Sequence, residues 1–310
     1  MTNDDTYHEG EIRVQELAGE RDEALHNGRL IGERIIAPAF RFISLLRYFV
    51  IGQASAEHEC EGTVLFGPSG FLTAAADGKM LTVALDPRRD RRTDPVLASL
   101  ALGRRVGGLA IDLATRRRLR INGHVAALAD DRLVVAVDES YPNCPKYIQK
   151  RSVEIDEDIA PAGQGAVFGT ELGEAQRALV RRADTCFVVT VHPRGRADAS
   201  HRGGPPGFVT IDDDGMLSIP DYRGNGMFNT LGNVATNPAA ALVFWDFEHH
   251  RLLHLSGTAA LRLGAADPDG RTGGTGRFWS FRVRHVHEQP VAAPFRMRFV
   301  EASPFHPRGA

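Results

Sequence analysis

The sequence predicts a mainly β protein with flanking helices, built from two tandem antiparallel barrels related by internal duplication. Three observations support this fold class. Short apolar runs separated by Gly, Asp, Asn and Arg fill most of the chain, the order of these runs restarts in the second half, and a helical pattern precedes each set. Short apolar runs between turn residues are typical of antiparallel strands.

The first 36 residues are predicted to be a helical extension. The stretch 11–35 mixes Glu, Arg, Leu and Ala, and its apolar side chains recur at roughly helical spacing. A second short helix is expected around 38–46, and strands follow from there, in runs such as YFVIG and MLTVAL. A further short helix is expected after residue 170, before the second set of strands.

The duplication rests on matching segments that keep their order. The pairs are 46–52 with 183–190, 67–86 with 204–221, and 111–123 with 245–257, at offsets of 134 to 138 residues. The most similar phrases are GPSGF at 67–71 and GPPGF at 204–208, which we interpret as the same bend entering the same strand. We therefore predict a first barrel over 37–160 and a second over 165–310, joined by a Gly-, Ala- and Pro-rich linker at 156–169. The two barrels could pair within one chain or with a second chain as a homodimer.

Composition narrows the function. With 310 residues, 43% of them hydrophobic, and a net charge of −2, the chain offers no general attraction to nucleic acid or to an anionic membrane. The arginine clusters at 87–92 and 115–120 are interpreted as solvated faces. Three widely spaced cysteines predict no disulfide framework, and no apolar run has the length of a membrane span. We expect a cytoplasmic protein.

A glycine-rich loop in the second barrel could bind an anion. Gly224 and Gly226 allow close approach to backbone N–H groups, and Arg202 and Arg223 supply forked donors suited to phosphate oxygens. If MFNTLGNVA (227–235) begins a helix, its N-terminus would face the same loop. The alternative is a simple hairpin turn, because Asn-Gly pairs favour tight turns.

The segments DASHRGGPPGF (198–208), PDYRGNGMFNTLGN (220–233) and NPAAALVFWDFE (237–248) resemble the pyridoxamine 5'-phosphate oxidase-like flavoproteins, whose fold is the FMN-binding split barrel. The resemblance implies split barrels, a flavin cofactor and oxidoreductase activity. It continues at NCPKYIQKR (143–151) and HEGE (8–11), which are similar to the branch with two barrels in one chain. Where the family has Ser-Arg-Lys in its phosphate turn, this chain has Gly-Asn-Gly, so FMN is the expected cofactor while FAD and a deazaflavin stay open.

The resemblance also implies the cofactor-binding residues. In the second barrel these are Ser200, His201, Arg202, Gly207, Phe208, Asp221, Tyr222, Arg223, Asn225, Met227 and Asn229. Residues expected to reach across from the first barrel are Asn143, Lys146, Tyr147 and Gln149, unless 143–151 is only a solvated basic loop. In the first barrel Val64 and Leu65 stand opposite His201 and Arg202, which predicts a degenerate cofactor site there.

Other residues leave alternatives open. His201 could donate to the flavin, donate a proton to substrate, or be a structural histidine. Cys144 is a weak candidate nucleophile. His285 and His287 lie two apart on one strand face, which suits haem or metal ligation or an exposed strand, and we predict no metal site. The expected function is that of an FMN-dependent oxidoreductase acting on a small organic molecule, with a nicotinamide nucleotide as candidate electron donor. The alternatives are flavin storage and haem binding or degradation.

Overall fold

The computed structural model describes residues 6–55, 59–86, 91–156, 165–291 and 293–307. Within these residues the chain forms two large antiparallel sheets of seven and eight strands, with short helices around them. The predicted fold class, mainly β with two split barrels and flanking helices, is confirmed. No helix in these ranges is long and apolar enough to cross a membrane.

The first half of the chain contains α1 to α4 and β1 to β8. The helices are α1 Glu9–Leu17, α2 Arg21–Gly28, α3 Phe40–Leu45 and α4 Pro95–Ser99, with short 3-10 turns at Ala37–Ala39 and Arg91–Thr93. The strands are β1 Tyr48–Ala54, β2 Cys60–Phe66, β3 Leu72–Ala74, β4 Met80–Ala84, β5 Arg105–Asp112, β6 Arg117–Ala129, β7 Arg132–Pro142 and β8 Lys150–Ile155. The helix expected around 38–46 is α3.

The second half contains α5, α6 and β9 to β17. The helices are α5 Glu174–Arg182 and α6 Asn229–Thr236. The strands are β9 Val167–Gly169, β10 Thr185–Val191, β11 Ala197–Gly203, β12 Thr210–Ile211, β13 Leu217–Pro220, β14 Ala239–Asp246, β15 Arg251–Arg262, β16 Phe278–Pro290 and β17 Phe295–Glu301. The linker predicted at 156–169 is only partly correct, because 167–169 forms β9 on the edge of β16; its part from 157 to 164 lies outside the described residues.

The two sheets have the same strand order. The first runs β2-β1-β5-β6-β7-β4-β3 and the second β11-β10-β14-β15-β16-β13-β12, which match one for one in chain order. The repeated phrases occupy equivalent bends, where Gly70 and Gly207 both have positive φ, at 93° and 89°. Glycine is the residue that adopts this backbone region without a Cβ clash. An internal duplication would produce this correspondence.

The two sheets pack on each other within the chain. Their shared core includes Val50 and Val64 from the first sheet and Phe187 and Val189 from the second. Val189 fits against the backbone of Gly52, where a Cβ would lie 2.3 Å from a Val189 methyl group. The two strands that follow the sheets, β8 and β17, pair with each other from Phe295 opposite Ile155 to Glu301 opposite Lys150. Pairing between two chains stays a prediction.

The N-terminal extension is a helix pair that packs on α6. At the crossing of α1 and α6, a Cβ on Gly10 would lie 2.2 Å from the Gly232 carbonyl oxygen, and a Cβ on Gly232 would lie 2.4 Å from Glu11 Cγ. Such distances are far inside van der Waals contact, so the two backbones approach this closely only because both residues are glycine. The extension therefore belongs to the second sheet's surroundings, although it precedes the first sheet in the chain.

Candidate functional site

A half-open cavity lies between the two halves of the chain. Its walls in the second half are β11, the loop 221–226 and the first turn of α6; in the first half they are β6 and the segment 143–147. About 880 Å³ of free space lies between these walls, part of it open to solvent. The enclosed part of the cavity is smaller, with a volume of about 110 Å³.

The cavity collects most of the predicted site residues. Those that line it are Asn143, Lys146, Tyr147, Ser200, His201, Arg202, Phe208, Asp221, Tyr222, Asn225 and Asn229. Cys144 also lines it, and its Sγ accepts a 3.4 Å hydrogen bond from the Lys146 N–H. The structure thus brings residues from both halves of the chain to one place.

Four predicted residues lie elsewhere. The Arg223 side chain is 71% exposed, with its Nη2 3.8 Å from Glu23 Oε2. Gln149 is buried and donates to the Gly204 carbonyl oxygen at 2.6 Å, while Met227 packs with Tyr7 and Tyr141. Gly207 forms the bend described above. These positions give Gln149, Met227 and Gly207 structural contacts in place of the expected contact with the cavity.

Two arginines of β6 line the cavity and were missed by the sequence analysis. Arg118 and Arg120 belong to the cluster interpreted as a solvated face, which is correct for the exposed Arg117 but wrong for these two. β6 runs between the halves at this point, so its alternate side chains face the second half. No sequence signal distinguishes Arg118 and Arg120 from Arg117 except this alternation.

Arg120 is held by a buried network centred on Asp198. The Arg120 guanidinium donates to Asp198 Oδ1 at 2.6 Å and to Ser200 Oγ at 2.6 Å. Asp198 also accepts from the amide groups of Asn122 at 2.8 Å and Asn233 at 2.9 Å. Burial alone would raise the pKa of Asp198, but Arg120 and these amide donors lower it below its ordinary value. The network fixes Arg120 at the cavity floor.

Arg118 has no such counter-charge. Its Nε donates to the Cys144 carbonyl oxygen at 2.7 Å, and its Nη1 lies 3.5 Å from His201 Nδ1. Among the described residues, no carboxylate lies within 4 Å of its guanidinium. Burial, together with the nearby Arg202 and Arg120, lowers the pKa of Arg118 to about 10. A half-buried cation with cationic neighbours is stabilised by an anion, so this corner of the cavity suits an anionic group.

His201 lies at the same corner and is neutral. Its side chain is 3% exposed, and burial, followed by the nearby Arg118 and Arg202 charges, lowers its pKa well below 6.5. Arg118 can only donate, so His201 Nδ1 accepts and Nε2 carries the proton. His201 is therefore arranged to donate a hydrogen bond from Nε2, which favours the donor alternative over proton transfer.

The neutral state of His201 has a measurable consequence. Below pH 6.5 the unfolded chain takes up a proton at this histidine that the folded chain does not, so the free energy of unfolding falls as the pH falls. Replacing His201→Gln removes this contribution, and the wild-type protein should lose up to about 1.4 kcal/mol per pH unit relative to the variant below pH 6.5. Urea unfolding of both proteins at pH 8, 6.5 and 5.5 measures the difference. Parallel pH curves for the two proteins would contradict a neutral, buried His201.

Loops from the two halves meet at the mouth of the cavity. The rings of Tyr147 and Tyr222 lie 4.7 Å apart, and Tyr147 Oη donates to the Arg223 carbonyl oxygen at 3.0 Å. Asn225 Nδ2 donates to Asn143 Oδ1 at 3.3 Å. Tyr147 has φ of 67°, an unfavourable value for a non-glycine residue, which these contacts maintain. The mouth is therefore closed on one side by contacts between the halves.

Several buried polar atoms on residues of this cavity have no hydrogen-bond partner among the residues that the structure describes. They are Arg120 Nε, Asn143 Nδ2, His201 Nε2, Arg202 Nε and Tyr222 Oη. Each of the five atoms can donate a hydrogen bond, and all except Tyr222 Oη are unable to accept one. Buried donors are rarely left unpaired in native proteins. The donor set fits a ligand rich in oxygen acceptors, such as a phosphate or the carbonyl groups of a flavin ring.

The first sheet has a second cavity in the equivalent place. Val64 of β2 pairs with Val50 of β1, and His201 of β11 pairs with Phe187 of β10. These positions are equivalent in the two sheets, so Val64 does occupy the position of His201. His254, His285 and His287 line this second cavity together with Glu59 and Phe168. The exposed His285 places its Nε2 3.2 Å from Glu59 Oε1, while His287 stacks on Phe168 with 4.5 Å between ring centroids.

The pyridoxamine 5'-phosphate oxidase family model matches residues 172–275. Over these residues the chain is similar to that family. The matched segment supplies β11, the loop 221–226 and α6, whereas Arg118, Arg120 and the segment 143–147 come from outside the match. No curated protein matches the chain.

Solved structures resemble parts of the chain at low identity. A putative pyridoxamine 5'-phosphate oxidase of Lactobacillus delbrueckii is 16% identical, covers 40% of this chain and 98% of its own, and has a TM-score of 0.32. An FMN-binding, pyridoxamine 5'-phosphate oxidase-related protein of Nostoc punctiforme is 14% identical, with coverages of 39% and 83% and a TM-score of 0.25. The haem storage protein HutZ of Vibrio cholerae is 14% identical, with coverages of 37% and 89% and a TM-score of 0.23.

Proposed function

We propose that the cavity between the halves binds FMN and that the protein is an FMN-dependent oxidoreductase acting on a small organic molecule. The observation that carries this proposal is a set of buried donors that lie beside the Arg118 cation. Within the described part of the chain these donors have no hydrogen-bond partner and Arg118 has no carboxylate partner. The similarity of residues 172–275 to the oxidase family supports a flavin over other acceptor-rich ligands.

The phosphate would be held mainly by arginines. Arg118 and Arg202 line the cavity from opposite halves, and Arg202 Nη2 lies 3.7 Å from Asp221 Oδ1, which keeps its guanidinium in place. Arginine forks bind phosphate oxygens through charge-assisted hydrogen bonds. The first turn of α6 also lines the cavity, and its unpaired N–H groups favour an anion. Arginines and helix N–H groups would thus replace the Ser-Arg-Lys turn that this chain lacks.

The remaining donors suit the ring system. His201 Nε2, Asn143 Nδ2 and Tyr222 Oη are neutral donors, which match carbonyl oxygens and ring nitrogens better than phosphate. FMN supplies hydride-transfer chemistry when bound, and the protein contributes binding, orientation and electrostatics. The Tyr147–Tyr222 pair lies at the mouth, where it would cover one side of a bound ring system.

Identification of the cofactor tests the proposal directly. Protein purified without added flavin should be yellow, and denaturation should release FMN, identified by mass spectrometry at about one equivalent per chain. Anaerobic addition of NADH or NADPH should bleach the flavin absorption, and a panel of small organic oxidants should restore it. Release of FAD or a deazaflavin would show that the cavity binds that cofactor and not FMN. A Soret band would show that the protein binds haem and not a flavin. Bound FMN that no nicotinamide nucleotide or other two-electron donor reduces would favour storage over catalysis.

A further inference from the structure

A cluster of two histidines and a glutamate lies outside the cavity, where the N-terminal helix meets the second sheet. His8 is the N-cap of α1, Glu9 is its first residue, and His192 directly follows β10. One ligand atom from each of the three side chains lies within 4.8 Å of the other two. The His8 and His192 ring centroids are 4.3 Å apart, and His192 Nε2 is 3.4 Å from Glu9 Oε1.

Hydrogen bonds fix the proton on His8. Asn233 Nδ2 donates to Thr190 Oγ1 and Asp198, so its Oδ1 is left to accept from His8 Nε2 at 3.0 Å. His8 Nδ1 therefore carries a lone pair, which faces the Gly10 N–H at 3.1 Å. Burial, and then the neighbouring His192, lowers the pKa of His8 to about 4, so the ring is neutral at physiological pH. A neutral imidazole that donates its other N–H to a carbonyl oxygen is the arrangement found in metal-bound histidines.

His192 provides the second nitrogen. Its side chain is 3% exposed, and its Nε2 is buried without a hydrogen-bond partner. Nothing else in the described chain satisfies this atom, which points toward Glu9 at a distance too long for a good hydrogen bond. An unsatisfied buried nitrogen beside an exposed carboxylate and a second imidazole fits a cation ligand better than a packing role.

We propose that His8 Nδ1, His192 Nε2 and the Glu9 carboxylate bind one divalent transition-metal ion of the zinc class, with water completing the coordination. Two imidazoles and one carboxylate are borderline ligands that Zn²⁺ binds at about 2.0–2.2 Å. Ligand atoms of a tetrahedral site therefore lie about 3.5 Å apart. The three ligand atoms lie within 4.8 Å of one another, so metal binding would draw them closer together, and Glu9 is the most exposed of the three side chains.

Metal binding requires one proton to move. His192 Nδ1 now accepts from the Arg194 N–H at 3.1 Å, which places the ring proton on Nε2. When the metal takes Nε2, that proton transfers to Nδ1, and the Arg194 N–H turns to solvent. Arg194 is exposed, so its N–H can be satisfied by water. The Gly10 N–H similarly becomes one of the unpaired donors normal at a helix start.

The site would fasten the N-terminal helix to the second sheet. α1 holds α6 through the bond from Asn229 Nδ2 to Glu11 Oε1, at 2.6 Å, and through His8 and Asn233. α6 in turn forms a wall of the cavity between the halves. The inference concerns stability and is independent of which cofactor the cavity binds.

Metal titration tests the site on the full chain. Protein dialysed against a chelator is titrated with Zn²⁺ by calorimetry and with Co²⁺ by visible absorption, and its thermal unfolding is measured with and without Zn²⁺. We expect binding of one ion per chain, Co²⁺ bands of a tetrahedral N/O site, and a higher Tm with Zn²⁺. Glu9→Gln, a change at a 65% exposed side chain, should weaken binding at least tenfold.

His285→Ala is the matched control, because it removes an exposed histidine that contacts a glutamate elsewhere, 3.2 Å from Glu59. This variant should bind Zn²⁺ as the wild-type protein does. His192→Ala should abolish binding, and Glu9→Gln keeps the test decisive if that buried variant does not fold. Absence of stoichiometric binding in the wild-type protein, unchanged affinity in Glu9→Gln, or equal loss in His285→Ala would each overturn the proposal.

Discussion

Arg118→Ala should weaken FMN binding about 10- to 150-fold, which corresponds to about 1.5–3 kcal/mol for a charge-assisted hydrogen bond. The reason is that the half-buried Arg118 lines the cavity without a carboxylate partner among the described residues, so its charge is available to the cofactor phosphate. Titration of the apoprotein with FMN, followed by quenching of flavin fluorescence, gives the Kd. The same titration with riboflavin should show a much smaller effect, because riboflavin has no phosphate.

Arg223→Ala is the control for this experiment. It removes the same charge from the loop that the sequence predicts to bind phosphate, but the Arg223 side chain is largely exposed and lies near Glu23. FMN affinity should change less than about threefold, as is usual for an exposed charge. A large loss in Arg223→Ala together with no loss in Arg118→Ala would reverse the assignment of the phosphate site.

Asp198→Ala should lower the free energy of unfolding by about 3–5 kcal/mol. The change leaves the buried Arg120 guanidinium without its carboxylate and removes the acceptor of the Asn122 and Asn233 amides. Breaking one side of a buried ion pair is costly because the other charge remains in a medium of low dielectric constant. Urea denaturation with the apoprotein measures this loss without a contribution from bound cofactor.

Asp138→Ala provides the comparison, since Asp138 also accepts from an arginine but at the surface. Its side chain is 38% exposed, and Arg105 Nη1 lies 3.2 Å from its Oδ2. Exposed ion pairs contribute about 0–1 kcal/mol, so this variant should unfold at nearly the wild-type urea concentration. If the two aspartate variants were equally stable, Asp198 would not be the centre of a buried network.

The fold could be predicted because its signals are local. Strand runs, turn glycines such as Gly70 and Gly207, and the repeated phrases around them each involve a few neighbouring residues. The repeat then specified two equivalent sheets. The strand β9 at 167–169 was missed because its pairing with β16 depends on residues more than 100 positions away.

The site was predicted in part, for the corresponding reason. The family resemblance identified Ser200, His201 and Arg202, which line the cavity, because these residues belong to one contiguous motif. The resemblance could not identify Arg118, because this residue lies in an arginine-rich run and its position at the cavity depends on the second half of the chain. The exposure of Arg223 and the position of His192 beside His8 depend likewise on contacts between distant segments.

The pairing of β8 with β17 bears on how the protein folds as it is synthesised. When β8 has left the ribosome, about 140 residues must still be added before its partner strand exists. Such pairing has a high contact order and forms late, so the nascent first half carries an open strand edge and an uncovered apolar face. We expect the isolated first half to recruit chaperones or aggregate, and the cavity between the halves to become competent for a cofactor only in the last step of folding.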